Sequence, residues 1–561
     1  MNPTVITAYP EAPSPATMTR AEKIGALVLA ALPGPALDAE TAALFRARHL
    51  GGVILFARNV VSVAQTRALT VAIHAASEPA GIPALLGADQ EGGRVLRTVA
   101  LPEATRWPAA MAVGATGDLA LAEAVGAALG AELRALGINV AFAPDADVNT
   151  DPRNPVIGAR AFGDNPEHVA EYVVATLRGL AAAGIAGTAK HFPGHGDTAL
   201  DSHLALPTIG RDLDTLRHGD LVPFAAAIAA GAPLMMTAHI RFPAADPTGL
   251  PATLSRRILT GLLREQMGYT GVIVTDAMSM QAIKDGYGIV AGCVASIIAG
   301  ADLVIPLDGQ EGAVCDALLV AVADGSLPEA QVDASVQRVL SLRASLAAAP
   351  TPMDDALATL GSPAHRALAQ EVARRSVTLL AAPPGVLPLA VNAAPIVAEF
   401  VWGIGSEAEQ LADADAPLLT AVRARFPRAR GVALDATAPT DAQLAAARTL
   451  ITDTDADTDT LIIGTSELLR FPAQAAAVAA LVAFASETGA PRRLAIIAQR
   501  GPYDVAALPP LPPAALLTTY GDYPDALTAA VAVLAGDAPP LGRLPVTVSA
   551  AFPRGSGLGN I

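Results

Sequence analysis

The sequence predicts a two-domain α/β protein: an N-terminal (β/α)8 TIM-type barrel followed by a C-terminal α/β sandwich domain. Three observations carry that expectation. Eight short apolar runs recur within the first 305 residues, each followed by a helix-like or polar segment. The chain has 561 residues, more than one hydrophobic core encloses. A stretch rich in Pro, Asp and Gly near residues 347–365 separates this part from a second series of strand-like and helix-like segments.

The runs are Ala26–Leu32, Gly52–Phe56, Ala84–Gly87, Asn139–Ala143, Ile185–Ala189, Leu234–Thr237, Val272–Thr275 and Leu303–Ile305. None alternates apolar with polar residues, the pattern of strands buried on both faces. Between them, Asp118–Leu136 is apolar at helical spacing with Asp118 as N-cap, and Pro166–Ala183 follows a capping Asn165. Repeated strand–helix units imply parallel strands with right-handed crossovers, and eight of them match the size of a (β/α)8 barrel. An open doubly wound sheet is the competing arrangement. The lack of a G-x-G-x-x-G after the first strands weakens its dinucleotide-binding form.

The barrel domain is expected over 1–346, with residues 1–20 irregular, a linker over 347–365 and the sandwich over 366–561. In the second domain, His365–Arg375 reads as a helix and SVTLL as a strand before a PPG turn. Ile396–Val401, Leu461–Gly464, Leu494–Ala498 and Ala515–Thr519 follow as strands. Asp453–Asp459 resembles a calcium loop but lacks the glycine at its sixth position and the glutamate at its twelfth, so it reads as a solvated acidic loop.

Composition excludes several classes. The chain is 52% hydrophobic and 16% charged, which is incompatible with disorder. Its net charge of −16 argues against nucleic acid as a partner. Cys293 and Cys315 lie in apolar, helix-like contexts and form neither a disulfide framework nor a metal cluster. No apolar run reaches the ~18 residues of a membrane span. The IGALVLAAL stretch lacks a basic n-region and an A-x-A site, so a buried first strand and a cytoplasmic protein are expected. A monomer or weak homo-oligomer is expected.

Chemistry in such a barrel sits at the C-terminal ends of the strands. The residues there are Arg58 and Asn59, Asp89 and Glu91, Asp145 and Asp147, Lys190 and His191, His239, and Asp276. The densest group is Ala186–Leu206, AGTAKHFPGHGDTALDSHLAL, read as a short strand that becomes a loop at Lys190. From Lys190 to His203 it holds one Lys, three His and two Asp, in a chain with only nine His. Asp201 and His203, two residues apart, point the same way if extended, so the carboxylate can orient the imidazole. Such a pair can protonate a leaving group and later deprotonate water. Asp276 closes the β-branched strand GVIVTD and is either a nucleophile or a helix cap. Lys190 and His191 either bind substrate hydroxyls or, for His191, form a satisfied buried histidine. His191, His195, Asp197, Asp201 and His203 also suit zinc or iron, but neither H-E-x-x-H nor a second ligand cluster accompanies them. No metal and no cofactor are expected.

KHFPGHG (Lys190–Gly196), four residues and DSH (Asp201–His203) resemble the signature of the β-N-acetylglucosaminidase branch of glycoside hydrolase family 3. GADQEGGRVLR (Gly87–Arg97), FAPDADVNTDPRNPVIGARAFGDNP (Phe142–Pro166) and GVIVTDAMSM (Gly271–Met280) are similar to the family as well. SVTLL, VLPL and GRLPVTV in the second domain match more weakly. The resemblance implies Asp276 as nucleophile, His203 as acid/base with Asp201, and Asp89, Arg97, Arg160, Lys190 and His191 as ligands of the terminal sugar. It also implies a small carbohydrate substrate: a terminal, non-reducing β-linked N-acetylglucosamine from peptidoglycan or chitin fragments. Other branches of the family take their acid/base glutamate from the second domain. A histidine in the first domain removes that need, so the second domain is expected to be structural. Its carboxylates Glu407, Glu409, Glu467 and Glu487 stand in no motif. Ala277 replaces a second Asp found in some relatives, a position to which this mechanism gives no role. A phosphorylase of the same branch, a β-glucosidase and a non-catalytic sugar-binding protein are the alternatives.

Overall fold

The computed structural model describes residues 14–77, 82–202, 205–346, 351–402, 416–453, 459–489 and 491–560. Eight parallel strands follow one another in chain order: β1 (Leu29–Ala31), β2 (Gly52–Leu55), β3 (Leu85–Ala88), β4 (Val140–Ala141), β5 (Ala186–Phe192), β6 (Leu234–Thr237), β7 (Val272–Ala277) and β8 (Leu303–Ile305). A parallel bridge between Val28 and Val304, with Val304 N–H donating to the Leu27 carbonyl at 3.0 Å, joins the last strand to the first. Each apolar run supplies one strand. β1 to β6 and β8 are buried almost throughout, because the lumen covers one face and helices the other.

The predicted caps are in place. Asp118 accepts from Ala120 N–H at 2.9 Å at the start of the helix Leu119–Ala135. Asn165 accepts from His168 N–H at 2.8 Å and starts Pro166–Ala182. The chain enters β1 from the helix Arg20–Gly25, closed by a Thr19–Glu22 capping box, so Ile24 and Gly25 of the apolar stretch are helical.

Two strands run further than the apolar pattern indicates. β5 continues through Lys190 and His191 to Phe192, so the loop begins after these residues rather than at Lys190. Lys190 bridges to Asp145, and Phe192 pairs with Thr237. β7 continues through Asp276, and the next helix, Gln281–Tyr287, begins only after Met280. Asp276 therefore caps no helix.

The second domain has a six-stranded sheet of β9 (Thr378–Ala381), β10 (Ile396–Val401), β11 (Arg430–Asp435), β12 (Thr460–Thr465), β13 (Arg493–Ala498) and β14 (Ala514–Thr518). The order is β9-β14-β13-β12-β10-β11, with only the β9–β14 pair antiparallel. β11 is the strand the sequence did not announce. It lies at an edge and is mostly half-buried, so RGVALD carries no continuous apolar run. The acidic Asp453–Asp459 stretch lies largely outside the described residues, as do Glu407 and Glu409. Among the described residues, no single helix is long and apolar enough to cross a membrane.

The expected linker holds structure of its own. The helix Met353–Thr359 packs on Leu119–Ala135, and Pro363–Ser376 follows. Glu132 ties these parts together. Its fully buried carboxylate accepts from Thr105 Oγ1 at 2.6 Å, Thr105 N–H at 3.1 Å, Gly361 N–H at 2.9 Å and His365 Nδ1 at 2.9 Å. Replacing it with alanine strands several buried donors. Glu132→Ala is expected to cost about 3 kcal/mol or more of stability, read by urea unfolding, with activity per folded molecule retained.

Candidate active site

A cavity at the C-terminal ends of the barrel strands encloses about 770 Å3 of empty space, including its opening to solvent. Asp89, Arg97, Arg160, Lys190, His191 and Asp276 all line it, together with Glu91, His195 and Ser202. The elements that place them are far apart in sequence. Asp89 follows β3, and Glu91 and Arg97 belong to the hairpin Gln90–Gly92/Val95–Leu96 or its exit. Arg160 ends a short 3-10 turn, Gly158–Arg160. Lys190 and His191 are consecutive on β5, where an ordinary strand would send them to opposite faces. The register against β6 shifts between Ala189 and Phe192, and both side chains reach the cavity.

The charges form an alternating chain. Arg97 Nη2 lies 2.8 Å from Asp89 Oδ2, and Lys190 Nζ lies 2.9 Å from Asp89 Oδ1 and 2.6 Å from Glu91 Oε1. Arg160 holds Glu91 through two bonds of 2.8 and 2.9 Å and reaches Asp145 Oδ2 at 3.7 Å. Burial opposes ionisation of Glu91, but Arg160 and Lys190 overcome it and hold the carboxyl at about 2. Burial also opposes Asp89, and Lys190 and Arg97 hold it far below its ordinary range. Three cations thus face two committed anions. The excess positive charge lines the same cavity as the Asp276 carboxylate.

His191 is neutral. Burial, then the positive charges of Arg160 and Lys190, lower it to about 4 against the pull of Asp145 and Asp276. Its tautomer follows from its partners. Nδ1 donates to Asp147 Oδ2 at 2.8 Å, which leaves Nε2 as an acceptor, with Arg160 Nη2 at 3.5 Å. Asp147 also accepts from the N–H groups of His191 at 3.2 Å and His195 at 2.6 Å. Burial nevertheless pushes Asp147 up to about 7. Asp145 is raised well above its ordinary range by burial and by the neighbouring Asp147 charge.

Asp145, Asp147 and His191 bring potential metal-ligating atoms within 4.8 Å of one another. Part of their bonding capacity is engaged: Asp145 Oδ1 accepts from Asp147 N–H at 2.9 Å, while Asp145 Oδ2 has the Arg160 guanidinium at 3.7 Å. The His191 proton points at Asp147, and a guanidinium lies beside Asp145.

Asp201 is half-buried; its carbonyl accepts from Ala205 N–H at 3.0 Å. Ser202, next to it, is buried and lines the cavity. His203 lies outside the described residues. Other polar groups at strand ends serve structure. Asn59 donates to the carbonyls of Leu32 and Gly34 at 3.1 and 2.7 Å. His239 bridges Thr253 Oγ1 at 2.8 Å and the Ala277 carbonyl at 3.0 Å, bracing the strand end beside Asp276. Glu91 and Asp147 are the site residues whose parts sequence reasoning left unassigned. Their position at strand ends was the one available signal.

The family model described as glycosyl hydrolase family 3 N terminal domain matches residues 19–342. Beta-hexosaminidase A of Pseudoalteromonas piscicida is 39% identical over 382 residues, 64% of this chain and 63% of that protein. The match thus spans less than two thirds of that relative. A beta-hexosaminidase of Xylella fastidiosa is 40% identical over 284 residues, 50% of this chain and 82% of the relative. The solved structure of a glycoside hydrolase family 3 beta-N-acetylglucosaminidase from Paenibacillus sp. superposes with a TM-score of 0.86 at 35% identity, covering 95% of this chain and 99% of that one. With the matched barrel domain making up more than half of the chain and the cavity at its strand ends, the protein belongs to glycoside hydrolase family 3.

Proposed function

We propose that the chain is a retaining β-N-acetylglucosaminidase that removes terminal, non-reducing β-linked N-acetylglucosamine. The observation that carries the reading is the placement of Asp276 in one cavity with the Asp89–Lys190–Glu91–Arg160 charge chain and neutral His191. Asp276 Oδ attacks C1 of the sugar and forms a glycosyl-enzyme intermediate. His203, oriented by Asp201, gives a proton to the departing oxygen and later takes one from the attacking water. An imidazole suits both steps because its ordinary pKa lies near neutrality. Lys190, Arg97 and Asp89 bind the sugar's hydroxyl groups, and His191 Nε2 accepts a hydroxyl proton.

The leaving group extends into the cleft between the barrel loops and the second domain. That cleft, of about 640 Å3 with its opening, shares Val95, Val156 and Arg160 with the sugar cavity. Arg470 and Arg500 lie 4.8 and 4.2 Å from the Trp402 ring centre there. This cationic lining favours a carboxylate-bearing leaving sugar and hence peptidoglycan-derived over chitin-derived fragments. The second domain adds no side chain to the sugar cavity among the described residues. It braces the loops that form it: Tyr503 OH accepts from Asn149 at 2.7 Å.

The test is turnover of p-nitrophenyl β-N-acetylglucosaminide and of disaccharides with acidic or neutral leaving sugars, with and without phosphate and EDTA. Hydrolysis indifferent to both additives, with the acidic disaccharide preferred, supports the reading. Acceleration by phosphate with a sugar-1-phosphate product moves it to a phosphorylase, which the neutral His191 and excess cation also suit. Cleavage of β-glucosides alone overturns the substrate, and inactivity on all of them leaves a binding protein.

A further inference from the structure

We infer that His195 is a positioning residue: its imidazole, through Ser202, holds the loop at Asp201 and Ser202 against the sugar cavity. The inference rests on the acid/base reading of that segment. His195 Nε2 and Ser202 Oγ share a hydrogen bond of 2.8 Å, and both residues are 2% exposed. Ser202 directly follows Asp201, the proposed partner of the acid/base, so its placement constrains that residue.

The His195 end of this strut is anchored on the barrel. Its N–H donates to Asp147 Oδ1 at 2.6 Å, and its carbonyl accepts from Asn154 Nδ2 at 2.8 Å. The flanking glycines let the loop press down. A Cβ on Gly196 would stand 1.8 Å from the Val148 carbonyl oxygen, and one on Gly194, at φ +131°, 2.8 Å from Asp220 Cβ. No other residue type allows that approach. Arg211 secures the next stretch through Asp197 Oδ2 at 2.6 Å and Asp220 Oδ2 at 2.9 Å. Beyond Thr198 the chain rises into solvent, with Leu200 55% exposed, and returns to the barrel at Ser202. The His195 ring is a contact at which the loop is brought back.

Asp147 gives the strut its purpose. One carboxylate fixes the His191 ring, which faces the sugar, and the His195 backbone, which carries the strut. The sugar-binding imidazole and the loop thus share one reference point, which keeps Asp201 in register with the sugar.

The test compares His195→Ala, His195→Gln and Ser202→Ala on two aryl β-N-acetylglucosaminides. A 2,4-dinitrophenyl leaving group departs without protonation; a poor leaving group, such as a simple phenol, requires the acid. Folding is checked by circular dichroism, and Ser202→Ala removes only one hydroxyl. The expected result is a fall of about 100-fold in kcat/KM on the poor leaving group and less than about threefold on the dinitrophenyl substrate. His195→Gln, which keeps a polar nitrogen near the position of Nε2, retains more than His195→Ala. The double variant His195→Ala/Ser202→Ala is no worse than the poorer single one. Equal losses on both substrates, or none on either, overturn the inference. His203→Ala is the reference. If it depends steeply on the leaving group while the His195 variants do not, only the positioning role fails. If it is itself flat, the acid/base reading fails and the inference falls with it.

Discussion

Asp276→Ala is expected to lower kcat/KM on p-nitrophenyl β-N-acetylglucosaminide by about 10,000-fold or more, close to 5.5 kcal/mol of lost transition-state stabilisation. The size follows from the lack of a substitute. Asp89 and Glu91 are tied to Lys190, Arg97 and Arg160, and Asp147 is occupied by His191 and His195. None can turn to the sugar without leaving a buried cation or donor unpaired. Ala277, the adjacent residue, offers no carboxylate. The stability of the variant should stay within about 1 kcal/mol of wild type, because Asp276 is only half-buried and caps no helix. Azide separates a lost nucleophile from a distorted site. In Asp276→Ala it should attack C1 directly, restore turnover and give the α-glycosyl azide. Rescue giving the β-azide, or a variant retaining a tenth of wild-type activity, would remove Asp276 from the nucleophile role.

Lys190→Ala should damage both activity and stability. Its ammonium is 2% exposed and serves Asp89 and Glu91 together. Removing one member of a buried ionic network costs about 3–5 kcal/mol, because charges are left buried without compensation. The pH dependence carries the signature. The folded-state value of Glu91 is depressed from its ordinary 4.5 to about 2, and that of Asp89 is depressed as well. Pairing with these groups therefore contributes stability that is fully present above about pH 4.5 and is lost as pH falls through their folded values. Urea unfolding should show the full difference between variant and wild type at pH 7 and a smaller one at pH 3. A pH-independent difference would mean that the lost stem packing, rather than the charge, accounts for the effect.

The barrel was legible because its strands are covered on both faces, which writes each one as an unbroken apolar run that needs no partner to be seen. The helices at Asp118 and Asn165 were legible because a cap is a local contract between a side chain and amides two or three residues on. Asp276, Lys190 and His191 could be singled out because the polar residue ending such a strand faces the barrel mouth. β11 escaped because an edge strand with a wet face has no such run. The linker helix Met353–Thr359 escaped because its context is the barrel helix it packs on, more than 200 residues earlier. The parts of Glu91 and Asp147 in the site were hidden for the same reason: the ion pair of Glu91 with Lys190 and the bond of Asp147 to His191 span separations that no local pattern records.

Sequence by itself determined the two-domain architecture, the presence of the eight barrel strands and the side chains near their ends, since burial and capping act within a few residues. Tertiary structure alone decided which charges neutralise one another, which tautomer His191 adopts, and that Lys190 and His191 both face the cavity. Those outcomes depend on register and on distances between strands, which exist only once the barrel closes.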